Sequence, residues 1–394
     1  MQGTARRVAI TGLGVVAPCG QGKDAFWKGL LGPGITGKRA TYLEDWDPLP
    51  FFDNPKDARR ADRFEQFAAA AAAEAMGQAG DLGVDPARIG TIFATGVGGL
   101  MTMEEQIRIL VEKGERRVSP FLVPMMMANA AGASISMRYG LRGPNETICT
   151  ACAASTHSIG YAARQIAWGR CDAVVTGGSE AAGAPIAVAG FGNMTALSTT
   201  GASRPFDANR DGFVLGEGAA VLVLEEWGNA VRRGATILGE VLGSASNADA
   251  HHITAPSPGG VGAIACMELA LADAGLTPAD IRQINAHGTS TPLNDAAEAA
   301  AIDHVFGASG PAVVSTKGVT GHALGAAGAL EAAALLLSMQ HRLIPPTAGT
   351  TEMDPDFTID LVTGAPRPWE PGPSMSNSFG FGGHNGSIVL APPS

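Results

Sequence analysis

The sequence predicts an α/β protein made of two similar halves, each a buried sheet covered by helices on both faces. Three observations lead there. Short apolar runs that end in glycine alternate with Ala-rich helical stretches along the whole chain, the pattern of strands buried on both faces. Segments of the first half recur, in the same order, in the second. The 394 residues are 45% hydrophobic and only 16% charged, with 53 glycines, so a large core packed closely between helices and sheets is available.

Taken in order, Val8-Ala-Ile-Thr-Gly-Leu-Gly-Val-Val-Ala-Pro18 reads as a strand followed by a glycine-bearing turn. Its Gly-Leu-Gly lacks the third glycine and the following helix that a dinucleotide loop needs. Residues 32–60, rich in Gly, Pro and Asp, read as loop. Arg63 to Met76 reads as a helix, Gly80 to Pro86 as turns, and Ile89 to Gly96 as a buried strand.

The repeat then organises the rest. Pro86, Ile89, Ile92, Ala94 and Gly96 fall on Pro278, Ile281, Ile284, Ala286 and Gly288 at a constant offset of 192. Thr150-Ala-Cys152, His157 and Gly160 fall on Ser315-Thr-Lys317, His322 and Gly325 at an offset of 165. Gly212–Gly218 with Val221–Leu224 matches Ser378–Gly386 with Ile388–Leu390 more loosely. The drop in offset leaves about 27 extra residues in the first half, between Gly96 and Thr150. The expected halves are residues 1–235, carrying the 97–149 insertion, and 236–394, with the boundary near Arg233–Thr236. Inside the insertion, Met101–Glu115 has a helical pattern. The Met-rich Val118–Asn129 suits a fatty-chain pocket, a subunit contact or plain core.

Chemistry concentrates in Glu146-Thr-Ile-Cys-Thr-Ala-Cys-Ala-Ala-Ser-Thr-His-Ser-Ile-Gly-Tyr-Ala-Ala163. A short β-type run reaches Cys152 and passes at once into helix. A thiol there meets unpaired N–H groups and the positive end of the helix dipole, which favour the thiolate, so Cys152 is read as a nucleophile in preference to a buried structural cysteine. Cys149, within the apolar part of the strand, is read as structural. The repeat places His287, Lys317 and His322 at corresponding strand-to-helix turns of the second half.

Other classes are disfavoured. The five cysteines lack the second pair or the His partners of a zinc site. A net charge of −10 argues against nucleic acid as the main partner. The N-terminus shows no apolar segment of signal-peptide length, and the longest Ala-rich run, Phe67–Met76, is far too short to span a bilayer, so a soluble cytoplasmic protein is expected.

Four strings carry a resemblance: Thr-Ala-Cys-Ala-Ala-Ser at 150–155, Asn-Ala-His-Gly-Thr-Ser-Thr at 285–291, Ser-Thr-Lys-Gly-Val-Thr-Gly-His at 315–322 and Asn-Ser-Phe-Gly-Phe-Gly-Gly at 377–383. With Ser203–Asp207 and Asp211–Gly218 they resemble the β-ketoacyl-[acyl-carrier-protein] synthases of the type II condensing enzymes over essentially the whole chain. The resemblance implies a five-layered αβαβα thiolase fold and a homodimer. It implies decarboxylative Claisen condensation of a Cys-bound acyl chain with malonyl-carrier protein, giving β-ketoacyl-carrier protein and carbon dioxide.

By the same resemblance Cys152 takes the acyl group, His287 and His322 stabilise the enolate, and Lys317, paired with Glu331, orients them. The backbone N–H groups of Cys152 and Phe381 form the oxyanion hole. Phe381 also gates the acyl pocket, Phe191 lines it, Phe379 contacts substrate, and Thr289 and Thr291 hold the pantetheine arm. The last two also suit plain turn hydroxyls. No cofactor or metal is implied, since phosphopantetheine arrives on the acyl carrier protein. That acidic partner would dock on arginines drawn from Arg59-Arg60, Arg63, Arg116-Arg117 and Arg204. His384 stands where many members carry Thr, and either hydrogen-bonds near the gate or fills space.

Degradative thiolases need a second late cysteine, and none follows Cys266. Initiating synthases use one His with an Asn, and chain-length-factor partners lack the nucleophile. A ketosynthase of a dedicated polyketide or specialised-lipid pathway would keep every residue named.

Overall fold

The computed structural model describes residues 6–394; the five residues before them, on which the reading of the N-terminus partly rests, lie outside. Ten strands form one continuous path. They are β1 (Val8–Ala17), β2 (Ile89–Ala94), β3 (Asn145–Ile148), β4 (Ala173–Glu180), β5 (Gly218–Glu226), β6 (Gly239–Ala248), β7 (Gln283–Asn285), β8 (Ala312–Val314), β9 (Ser374–Gly380) and β10 (His384–Ala391). Their spatial order is β3-β2-β4-β5-β1-β6-β10-β9-β7-β8. The second five mirror the first: β6 stands for β1, β10 for β5, β9 for β4, β7 for β2 and β8 for β3. The two five-stranded halves meet where Val8, Ala9 and Ile10 pair antiparallel with Val241, Glu240 and Gly239.

The helices that matter are α1 (Arg63–Ala79), α2 (Leu100–Lys113), α3 (Ala130–Tyr139), α4 (Ala154–Ala167), α5 (Pro185–Asn193), α6 (Val261–Ala274), α7 (Pro292–Phe306) and α8 (Ala327–His341). Helices α1 and α3 cover the outer face of the first half, and α6 with α7 that of the second, while α4 and α8 lie between the two halves. This is the five-layered thiolase arrangement. Helix α8 is buried on all sides from Ala327 to Met339, which is why it reads as apolar without a polar face.

Local sequence explains the close packing. Asp62 and Glu65 form a reciprocal capping box that starts α1. Gly12 and Gly14 lie inside an unbroken strand and not in the turn expected from the sequence. A side chain on Gly12 would come within 2.3 Å of the Ala75 carbonyl, and one on Gly14 within 1.9 Å of the Ala71 carbonyl. The glycines therefore let the Ala face of α1 lie directly on β1.

The 97–149 insertion holds α2, α3 and β3. Its apolar side chains divide: Ala131, Ile135 and Leu141 join the core of the first half, whereas Val111 is 80% exposed, Val123 56% and Met137 77%. Among the described residues no helix is long and apolar enough to cross a membrane.

Candidate active site

Cys152 sits in a single 3-10 turn, Ala151–Ala153, between β3 and α4. Ala151 holds a left-handed backbone (φ 49°), a strained conformation that turns the chain sharply and aims the next side chain inward. The mirror-related turn in the second half is Leu324–Ala326 ahead of α8, where Leu324 has φ 44°. The structural counterpart of Cys152 is thus Gly325. The match of Cys152 with Lys317 is corrected: Lys317 belongs to an extra helical turn, Lys317–Thr320, that the first half lacks.

Four strand-end segments bring the side chains together. The Cys152 Sγ lies 3.0 Å from His322 Nε2. The His287 and His322 rings meet edge to face with centroids 5.2 Å apart. The thiol and the two imidazoles each offer an atom within 4.8 Å of the others, the group among the described residues that could hold a soft metal ion. Lys317 is buried behind His287. Its Nζ donates to the His287 carbonyl at 2.6 Å, reaches His287 Nδ1 at 3.3 Å and pairs with the Glu331 carboxylate. Ser378 donates to the other Glu331 oxygen at 3.5 Å.

An ammonium has donors only, so His287 Nδ1 must be the acceptor and the ring proton sits on Nε2. Burial, helped by the Lys317 charge, drives both imidazoles well below the usual histidine range, so both are neutral. Burial likewise pushes the Cys152 thiol up to about 11, against the pull of the Phe381 N–H and the Lys317 ammonium. The resting group is therefore a protonated thiol beside a neutral imidazole. The thiolate expected from the helix terminus gives way, because desolvation outweighs the backbone N–H groups and the Lys317 charge that favour it.

Phe381 begins the turn Phe381–Gly383 after β9, next to Cys152. A side chain on Gly380 would come within 3.1 Å of the Cys152 nitrogen, and Gly382 holds φ 81°, so glycine is required for the two backbones to approach. A cavity of about 380 Å³ opens from this point, lined by Cys152, His287, His322, Phe191, Phe379 and Phe381 among others. Phe191 packs on Phe213, whose ring edges against His322, while Phe379 packs against His287. Thr289 and Thr291 also line the cavity, their hydroxyls 2.9 Å apart, and Thr291 caps α7 as well.

Residues 5–230 match the family model described as Beta-ketoacyl synthase, N-terminal domain, and residues 238–351 match its C-terminal domain. The chain belongs to the β-ketoacyl synthase family. This β-ketoacyl synthase is 44% identical over 410 residues to a 3-oxoacyl-[acyl-carrier-protein] synthase 2 of Synechocystis sp., with 98% of each chain covered. Among solved structures it resembles a beta-ketoacyl synthase from Burkholderia phymatum at 34% identity and a TM-score of 0.92, covering 99% of this chain and 100% of that one. A second neighbour is a type II PKS acyl-carrier protein in complex with its ketosynthase bound to the hexaketide, at 32% identity and a TM-score of 0.90 over 99% and 100%.

Several residues of this synthase's site escaped the sequence reading. Glu180 is fully buried at the end of β4, where it accepts the Gly96 N–H at 2.6 Å and the Gly325 N–H at 3.0 Å and so clasps the mirror-related turn. Glu298 of α7 accepts the His287 and Gly288 N–H groups, both at 2.7 Å, fixing the turn that presents His287. The signal in both is a lone acid in an apolar stretch, which on its own reads as an exposed residue. Cys149, read as structural, is exposed, with its Sγ 3.1 Å from the Gly96 carbonyl. His384 opens β10 outside the cavity lining.

Proposed function

We propose that this chain is a 3-oxoacyl-[acyl-carrier-protein] synthase that elongates fatty acyl chains in the cytoplasm, working as a homodimer with an acyl carrier protein. The observation that carries the reading is the pairing of a buried thiol, 3.0 Å from a neutral imidazole, with a second imidazole whose proton Lys317 holds on Nε2.

The acyl thioester enters first. Cys152 Sγ attacks its carbonyl as the thiol gives up its proton, and the oxyanion is held by the N–H groups of Cys152 and Phe381. Collapse expels the pantetheine thiolate, which takes that proton and leaves as a thiol. Malonyl-carrier protein follows, with its arm along Thr289 and Thr291. Loss of carbon dioxide puts negative charge on its thioester oxygen, where the neutral N–H groups of His287 and His322 can donate without burying a full charge. The enolate carbon attacks the acyl-cysteine, and the departing cysteine thiolate takes up one proton. Phosphopantetheine comes with the carrier protein, so no resident cofactor is required.

The fatty-acid reading is favoured over a polyketide pathway because the relatives named 3-oxoacyl-[acyl-carrier-protein] synthase 2 reach 44% identity, while the polyketide complex stands at 32%. The test is condensation of acyl- and malonyl-carrier protein by the purified chain. Cys152→Ala is expected to abolish acyl loading, read by intact mass, with the fold retained. Cys152→Gln is expected to release carbon dioxide from malonyl-carrier protein without condensing it. Acylation of the Cys152→Ala protein would refute the nucleophile.

A further inference from the structure

One histidine near the nucleophile has no part in the chemistry above. His157 lies in the first turn of α4, five residues after Cys152, and is largely buried. Its Nε2 lies 2.9 Å from the Asn385 carbonyl, and its Nδ1 lies 2.9 Å from the Thr150 hydroxyl. A carbonyl only accepts, so Nε2 carries the proton and Nδ1 accepts from Thr150. Both bonds run to backbone or short side chains at defined places. Thr150 immediately precedes the strained Ala151-Cys152 turn, and Asn385 follows the Phe381–Gly383 turn in β10. Gly386 is shaped around the ring: a side chain there would come within 2.9 Å of His157 Cδ2.

Those two turns carry the two backbone N–H groups assigned above to the oxyanion hole. They come from opposite halves of the chain, and the mirror symmetry does not fix their spacing, because the Gly325 N–H of the mirror-related turn is taken by Glu180. We propose that His157 is a positioning residue that sets the distance between the Cys152 and Phe381 N–H donors, and so the rate of acyl transfer. The inference rests on the oxyanion-hole reading of the preceding subsection. It makes a prediction that reading does not: a residue touching neither substrate nor nucleophile controls the loading step selectively.

Three measurements on the full-length protein separate these. Acyl loading from acyl-carrier protein reports the oxyanion hole. Alkylation of Cys152 by iodoacetamide, a displacement at saturated carbon, needs the thiol but no oxyanion hole. Carbon dioxide release from malonyl-carrier protein reports the imidazole pair. His157→Leu is expected to slow loading by about 10- to 100-fold, less than outright removal of one oxyanion donor, while alkylation and carbon dioxide release stay within about threefold. His157→Gln, which can still donate to Asn385, should recover most of the loading rate. Thr150→Val added to His157→Leu should cost nothing more, since both break one connection. Gly386→Ala, which displaces the ring without removing it, should reproduce the loading defect if His157→Leu fails to fold. Unchanged loading in both His157→Leu and Gly386→Ala would overturn the proposal. So would alkylation and carbon dioxide release that fall in parallel with loading. Failure of the wild-type chain to load acyl groups at all would instead sink the function proposed above.

Discussion

Lys317 has three N–H donors and three acceptors around them, and this saturation decides the chemistry of its neighbour. With Nδ1 of His287 engaged, the ring proton faces the cavity, where a developing enolate needs it. Lys317→Met keeps the volume but frees the tautomer. Carbon dioxide release from malonyl-carrier protein should then fall by about 100-fold, the cost of a lost oxyanion donor, while acyl loading of Cys152, read by intact mass, changes by less than about fivefold. Equal losses in both steps would contradict the division of labour. The pH dependence follows from the same residues. Burial holds His287 and His322 well below the ordinary histidine value of 6.5, so neither gains a proton as pH falls from 8 to 6. Burial raises the Glu331 and Glu298 carboxyls, which hold Lys317 and the His287 turn, to about 7. Carbon dioxide release by the Cys152→Gln protein should therefore change between pH 8 and 6 only through them. A midpoint near 6.5 that persists when Glu331→Gln and Glu298→Gln are added would show that an imidazole titrates normally.

At the scale of elements, capping and close packing explain which segments were legible. Helix α1 could be read because Asp62 and Glu65 sit three apart before an Ala run, and β2 because apolar residues end in glycine. Gly12-Leu-Gly14 misled because glycine marks both a turn and a strand on which a helix lies directly, and only the neighbour tells them apart. The Cys152, His287, Lys317 and His322 strings were legible because small residues must surround groups approached by substrate. Their internal correspondence was not fully legible: the extra turn Lys317–Thr320 shifts the register, and only the matching left-handed residues Ala151 and Leu324 reveal it. Glu180 and Glu298 were illegible because their partners are backbone N–H groups brought in by the fold. Glu65 offers a test at this scale. It donates nothing to the capping box that Gln could not, since its role is to accept from the Asp62 N–H. Burial raises its carboxyl from 4.5 to about 8, so between these values the folded chain holds a proton that the unfolded chain has lost, and stability falls as pH rises. Glu65→Gln removes that penalty. It should stabilise by about 1–3 kcal/mol at pH 8 and by almost nothing near pH 4.5, a difference visible in thermal melts at the two pH values.

At the scale of the whole molecule, the mirror order of the strands leaves two sheet edges that ought to be alike and are not. The far edge, β8, is covered: Val313 N–H donates to the Asp360 carbonyl, and Val362 N–H donates to the Val313 carbonyl, so a returning segment satisfies it. The near edge, β3, pairs with β2 on one side, and among the described residues no strand lies on the other. An open strand edge invites pairing with another chain, and a second copy related by a two-fold axis would extend the sheet antiparallel while leaving no edge bare. Helix α3, which packs against β3, exposes Met137, and the same insertion exposes Val123, which argues for a permanent contact and against a bare surface. Because β3 leads directly into the Cys152 turn, such a contact would also brace the nucleophile. Light scattering should therefore give twice the chain mass of 40.0 kDa. The double variant Val123→Lys, Met137→Lys should shift the chain toward monomer and slow acyl loading together, since two charges cannot be buried unpaired at such a contact. A dimer that survives both lysines would mean that the chains associate through another face, and that β3 is shielded by its shortness alone.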